Sequence, residues 1–273
     1  MIKNLLTRAI SGFLFVAAML ACVWMSDFYF GALFLLLVII GLREFYTLVN
    51  KESNVSVLVP LSVAGGALLF ATVFYVFFYN ANYVWLSLNF IYVSVLMIVE
   101  LFRKQEKPLF NMAVSLFGIL YVALPFSLMA IVESTPVSGE RLLMAFFIII
   151  WASDTGAYLT GMCFGKHKMF ERISPKKTWE GLAGGCLFAI LAGFIFYKTN
   201  FIPYTFLSWV GISVLIFAFG VLGDLVESMM KRSLNVKDSG VFLPGHGGLL
   251  DRFDSALVAA PALCMVAFLL LNC

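Results

Sequence analysis

Charged side chains crowd into two short stretches of this apolar 273-residue chain. Residues 154–180 hold 8 of them and residues 224–254 hold 9, together 17 of the 33 in the protein. The first stretch contains Ser174-Pro175-Lys176-Lys177-Thr178-Trp179-Glu180-Gly181. Two adjacent lysines and two hydroxyls ahead of a helix start form a grip for a polyphosphate. They equally suit ordinary anchoring at the cytoplasmic end of a membrane span. Upstream, Asp154 stands inside an otherwise apolar run, Trp151 to Tyr158. A carboxylate at mid-bilayer costs about 2.5–3.5 kcal/mol on insertion scales, so it is expected to serve a function or meet a partner.

The second stretch continues out of an apolar helix as Gly223-Asp224-Leu225-Val226-Glu227-Ser228-Met229-Met230-Lys231-Arg232. Helical spacing puts Asp224, Glu227 or Ser228, and Lys231 on one face, so Asp224 is either a site carboxylate or a helix-end acid paired to Lys231 or Arg232. After Lys237 comes Pro244-Gly245-His246-Gly247-Gly248-Leu249-Leu250-Asp251-Arg252-Phe253-Asp254. Glycines let backbone N–H groups approach a ligand closely, and a helix N-terminus favours phosphate. Asp251 and Asp254 suit N-terminal caps and also suit hard-oxygen ligation of Mg²⁺, which takes one or two carboxylates plus substrate phosphates. Together these groups point to metal-assisted chemistry on polyanionic phosphates at a membrane surface, with a lipidic reactant.

The elements that must position them are membrane helices. The chain is 62% hydrophobic and 12% charged, against about 45–50% and about 25% for soluble domains. Residues 53–99, 199–223 and 255–273 hold no Asp, Glu, Lys or Arg beyond Glu52 and Glu100 at their margins. Soluble, disordered and disulfide-framework classes are excluded; the five cysteines form no CxxC pair and suggest neither zinc nor bridges. The fold class is an all-α polytopic membrane protein of about nine spans: 9–26, 28–42, 57–79, 84–102, 109–132, 142–163, 181–197, 205–223 and 255–272. The first is expected to be an uncleaved span, and Pro125 to kink or shorten the fifth. With the N-terminus in the cytoplasm, 16 of the 18 Lys and Arg residues fall on the cytoplasmic side, as the positive-inside rule requires. Residues 1–141 then form a scaffold of about five helices, and 142–273 a catalytic region with charged loops at 164–180 and 224–254. The glycine pairs Gly161/Gly165 and Gly181/Gly185 read as close helix packing, and His167 as part of a solvated basic face.

The run Ser228-x-Met230-Lys231-Arg232, then Lys237-Asp238-x-Gly240, then Leu243-Pro244-x-His246-Gly247-Gly248-Leu249-x-Asp251-Arg252-Phe253-Asp254 resembles the signature of the phosphatidate cytidylyltransferase (CDP-diacylglycerol synthase) family. The Asp154 and Ser174–Gly181 segments also resemble it. The resemblance implies the reaction CTP + phosphatidate → CDP-diacylglycerol + diphosphate, dependent on Mg²⁺ or Mn²⁺, with K⁺ also associated with the site. It implies a homodimeric enzyme of the bacterial inner membrane acting at its cytoplasmic face, with membrane phospholipid and CTP as partners and no nucleic acid. Metal ligation is then expected at Asp224 and Asp251, with Asp254 and Asp154 in support. Lys231, Arg232, Lys237 and Arg252 would neutralise phosphate charge, and His246 would donate a hydrogen bond. Ser174, Lys176, Lys177, Thr178, Gly247 and Gly248 would hold substrate. The rivals are a CTP-dependent polyprenol or phytol kinase and an anion-binding transporter.

Overall fold

A computed structural model describes residues 2–25, 27–52, 54–136, 138–240 and 247–271. The elements in order are α1 (Ile2–Met25), α2 (Asp27–Val49), α3 (Val59–Phe78), a 3-10 turn (Tyr83–Ser87), α4 (Leu88–Arg103), α5 (Pro108–Gly118), a π turn (Ile119–Ala123) and α6 (Leu124–Glu133). They continue with α7 (Gly139–Phe164), β1 (Lys168–Phe170), β2 (Ser174–Thr178), α8 (Trp179–Lys198), α9 (Phe206–Ser233) and α10 (Leu250–Leu271). Among the described residues, eight helical stretches are long and apolar enough to cross a membrane, with α5, the π turn and α6 counting as one, and Leu14–Met25 of α1 adds a shorter apolar segment. That is the helix inventory of a multi-pass membrane protein, because helices satisfy their own backbone groups in lipid. The all-helical expectation needs one correction: an antiparallel two-stranded ribbon, β1–β2, occupies the first charged loop.

Pro125 does not shorten the fifth span, which runs unbroken over Pro108–Glu133; it changes the local winding instead. It lacks an N–H, and its ring crowds the carbonyl four residues back. The helix widens into the π turn at Ile119–Ala123 just ahead of it, and α6 restarts with Pro125 in its first turn.

The chain forms two compact units. One comprises residues up to Ser134 with Leu234–Phe253; the other comprises Thr135–Ser233 with the chain from Asp254 onward. In the first unit, α3 packs against α2, where Gly66 faces Leu42, and against α4, where Gly65 lies under the Tyr92 ring. Several buried polar groups there find partners: Tyr46 donates its hydroxyl to the Ser115 carbonyl at 2.5 Å, and Ser62 and Ser115 hydroxyls pair at 2.6 Å. The buried Glu100 carboxylate accepts from Arg103 and from Asn111, both at 2.7 Å.

In the second unit the tight seam is α7 against α8, as the glycine spacing predicted. A Cβ on Gly181 would lie 3.0 Å from the Ala157 carbonyl oxygen and 3.4 Å from the Gly161 Cα; one on Gly184 would lie 2.5 Å from Thr160 Cβ. Small residues let the two backbones approach, which is how helices associate without a hydrophobic driving force. Gly184→Val is therefore expected to destabilise the protein by about 1–3 kcal/mol, read as a lower midpoint of thermal aggregation in detergent, whereas Gly211→Ala, whose Cβ meets nothing within 4 Å, should leave it near the parent value.

Candidate active site

The ribbon after α7 presents the lysines. Lys168 pairs with Thr178 and Phe170 with Ser174, so two steps on β1 face four on β2, and β2 bulges across Pro175, Lys176 and Lys177. Pro175 has no N–H to give to a ladder, so it fits an unpaired position, and a bulge re-aims the side chains it carries. Lys176 and Lys177 both line the cavity described below.

Thr178 ends the strand and starts α8. Its buried hydroxyl accepts from the Gly181 N–H at 3.2 Å, capping the helix. Glu180 reaches back to the loop, accepting from the backbone N–H groups of Lys166 at 3.1 Å and His167 at 3.2 Å, and lying 2.6 Å from the His167 ring Nδ1. His167 is thus exposed but not merely solvated. Gly165, which closes α7, leaves room for Thr178: a Cβ there would lie 2.9 Å from its hydroxyl oxygen.

These elements enclose a cavity of about 560 Å³ in the second unit. Asp154, Ser174, Lys176, Lys177, Thr178 and Asp224 supply its polar lining, while Tyr158, Met162, Met169, Leu182 and Val221 supply apolar wall. Six residues named from the sequence therefore meet in one place, from α7, β2, α8's cap and α9.

Asp224 pairs with Lys177, Nζ to Oδ2 at 2.7 Å, and accepts from the Ser228 hydroxyl at 3.2 Å. The alternative of a pair with Lys231 or Arg232 on the same helix does not occur: Lys231 instead bonds the buried Glu227 carboxylate, one turn back, and Arg232 donates from Nε to the Ile173 carbonyl at 3.4 Å. The Lys177 and Asp224 side chains are 23% and 36% exposed, so the pair contributes only modestly to stability; its interest is chemical. Gly223 brings α9 onto the backbone of α10, where a Cβ would lie 2.4 Å from the Asp254 carbonyl oxygen. Asp254 accepts from the Ser255 N–H at 2.6 Å and lies within electrostatic range of Asp224, Glu227 and Asp154.

Among the described residues, no three His, Cys, Asp or Glu side chains converge on one cation position. Magnesium asks for less, because it usually takes one or two carboxylates and completes its shell with water and substrate phosphates. Asp224, Asp154 and Asp254 are hard-oxygen donors of that kind, grouped within reach of each other's charge.

The remaining sequence-predicted residues that are described belong to the first unit. Lys237 is exposed. Asp251 uses Oδ2 to accept from the N–H groups of Gly248 at 2.8 Å and Ser239 at 3.1 Å, and Gly247 takes a positive φ of 81° beside it. Arg252 is exposed on the first turn of α10. His246 lies outside the described residues. Glu44 on α2 was not anticipated. Its carboxylate accepts from the N–H groups of Leu249 at 2.8 Å and Leu250 at 3.1 Å, and from the Ser239 hydroxyl in a short bond. The available signal was an acid beside Arg43 near the end of an apolar helix, too common a pattern to single out.

The cap at Thr178 yields a direct test. Thr178→Ala should cost about 1 kcal/mol of stability in a thermal-midpoint measurement, and Thr178→Ser, which keeps the hydroxyl, should recover most of it.

Comparison with known proteins follows the same lines. The model of the cytidylyltransferase family matches residues 6–270. A phosphatidate cytidylyltransferase of Haemophilus influenzae is 45% identical over 130 residues, covering 46% of this chain and 45% of the relative. One of Bacillus subtilis is 41% identical over 144 residues, 53% of this chain and 54% of the relative. One of Staphylococcus aureus is 37% identical over 180 residues, 65% and 66% respectively. The matched stretches thus span from about half to just under two thirds of the length of these curated relatives. With the family model running nearly end to end over the same helices and loops, the chain belongs to the cytidylyltransferase family.

Proposed function

We propose that the chain is a phosphatidate cytidylyltransferase, converting CTP and phosphatidate to CDP-diacylglycerol and diphosphate. The observation that carries this reading is the cavity in which Lys176, Lys177, Asp154 and Asp224 face apolar wall. Cations and carboxylates suit a nucleotide's phosphates with a divalent ion, and the wall of Tyr158, Met162 and Leu182 suits the acyl end of a lipid. The curated relatives bear the name of this activity.

The reaction asks little covalent work of the protein. A phosphatidate oxygen, anionic at neutral pH, attacks the α-phosphorus of CTP; the bond to the β-phosphate breaks and diphosphate leaves with the electron pair. No general base is required, so positioning and charge neutralisation dominate. Asp224 and Asp154, which line the same cavity, would hold Mg²⁺ or Mn²⁺, with Asp254 adding negative charge nearby; the ion supplies neutralisation of the phosphate oxygens when bound. The resemblance assigns Asp251 to metal as well. Lys177 balances the Asp224 charge and, with Lys176, is placed to transfer its contact to the diphosphate. Lys231, held by Glu227, and Arg232 form a cationic end to α9 that would neutralise phosphate charge.

The charge distribution supports a cytoplasmic N-terminus in a bacterial inner membrane, with the α7–α8 loop and the end of α9 on the cytoplasmic side. Cys163, exposed near the end of α7, reports on this. In a variant keeping only Cys163, a membrane-impermeant maleimide should label inverted vesicles and spare intact spheroplasts; the opposite pattern would reverse the orientation.

The activity is tested with purified protein, phosphatidate and Mg²⁺, using CTP labelled in the α- or the γ-phosphate. Label should enter the lipid from the α-position alone and vanish with EDTA. Entry from the γ-position would make the chain a CTP-dependent kinase. In the same assay Asp224→Asn and Lys177→Met should each lower kcat by about 10²–10³-fold, the scale on which removal of one charge-stabilising group acts, while the folded fraction stays at the parent level.

A further inference from the structure

The α10 N-terminus is built unusually. Backbone N–H groups at a helix start lack partners within the helix and were read from the sequence as a seat for phosphate. In the first unit two carboxylates take them instead. Asp251 Oδ2 accepts from Gly248 and Ser239, while Glu44, from a different helix, accepts from Leu249 and Leu250 and from the Ser239 hydroxyl. The glycines are fitted to this acid. A Cβ on Gly248 would lie 2.1 Å from Glu44 Oε1, and one on Gly240 would lie 2.9 Å from its carboxyl group. Ser239, Leu249 and Leu250 are buried around it.

We propose that Glu44 is a positioning residue for cytidylyl transfer: it fixes the start of α10 and thereby the orientation of Asp251 and Arg252. This rests on the function proposed above. Glu44 touches no reacting atom; it acts as a cap supplied by the other end of the sequence, 205 residues from Leu249. A substitution that keeps its size but removes its charge replaces an acceptor with a donor facing amides that already donate.

The test uses the purified full chain. In Glu44→Gln, kcat for α-label transfer should fall about 10- to 100-fold, as expected when buried donors lose a charged acceptor. The KM for CTP should stay near the parent value, because the lysines assigned to the nucleotide lie elsewhere. Hydrogen exchange in a peptide covering Gly248–Leu250 should quicken by about ten-fold or more, with α3 and α8 unchanged. Gly248→Ala should reproduce both effects and add little to Glu44→Gln, since both remove one contact. Parent-like kcat or parent-like local exchange in Glu44→Gln overturns the proposal. Should Glu44→Gln not fold, Ser239→Ala decides: it removes one donor, and either readout left at the parent value overturns the proposal. Should the parent chain transfer no α-label, the function proposed above fails, and the exchange measurement still decides whether Glu44 holds the helix start.

Discussion

A carboxylate on an apolar helix has to be neutralised where it sits, because little water reaches it to share its charge. Nearly every informative contact in this protein answers that requirement. Asp224 is met by Lys177, Glu227 by Lys231, and Glu100 by Arg103 and Asn111. Glu44 is met by two backbone amides and a hydroxyl; even Glu180, at the solvent-facing start of α8, takes the amides of Lys166 and His167. Some of these pairs close a single helix turn. The ones that matter for architecture join elements far apart in sequence, so the placement of acids dictates which loops fold back and onto what.

The second unit shows how this requirement produces a site. Helices α7 and α8 touch through glycines, which leaves the ribbon between them little slack. Its bulge brings Lys177 to Asp224, in the C-terminal part of α9. On the function proposed above, a lysine already resting on a carboxylate is a latch with a ready exchange: an incoming polyphosphate would compete for the lysine, and a cation brought with it would compete for the acid. Both charges then remain compensated throughout, and neither is left bare in a low-dielectric cavity. On the same proposal, the apolar wall opposite would give a lipid chain a surface to lie on.

Much of this was legible in the sequence. Composition and span lengths give the helices, glycine spacing gives the α7–α8 seam, and Pro125 marks where the winding of the fifth span is irregular. The grouping of Asp154, Lys176, Lys177 and Asp224 follows from two loops with unusual charge. What escaped depends on pairings that no local pattern encodes. The ribbon is short, and its bulge erases the alternation by which strands are read. The partner of Asp224 comes from a loop 47 positions away, whereas the sequence offers Lys231 or Arg232 on the same helix. Glu44 acts across 205 residues, and an acid near a helix end has no periodicity to betray it. That amides at the start of α10 would meet an anion was legible, and Asp251 was one of the caps offered; the second carboxylate, Glu44, was not.

The π turn ahead of Pro125 has a geometric result of its own. One extra residue in a helical turn shifts the angular phase of everything after it by about 100°. Apolar and small residues before Ile119 and after Ala123 therefore belong to two differently oriented stripes, although they lie on one continuous membrane span. A single-period helical wheel drawn through residues 108–133 would misassign the faces of one half. The protein uses a local widening to let one span address two neighbours in different directions, and a deletion of one residue there would rotate α6 against its packing partners while leaving the composition of the span almost untouched.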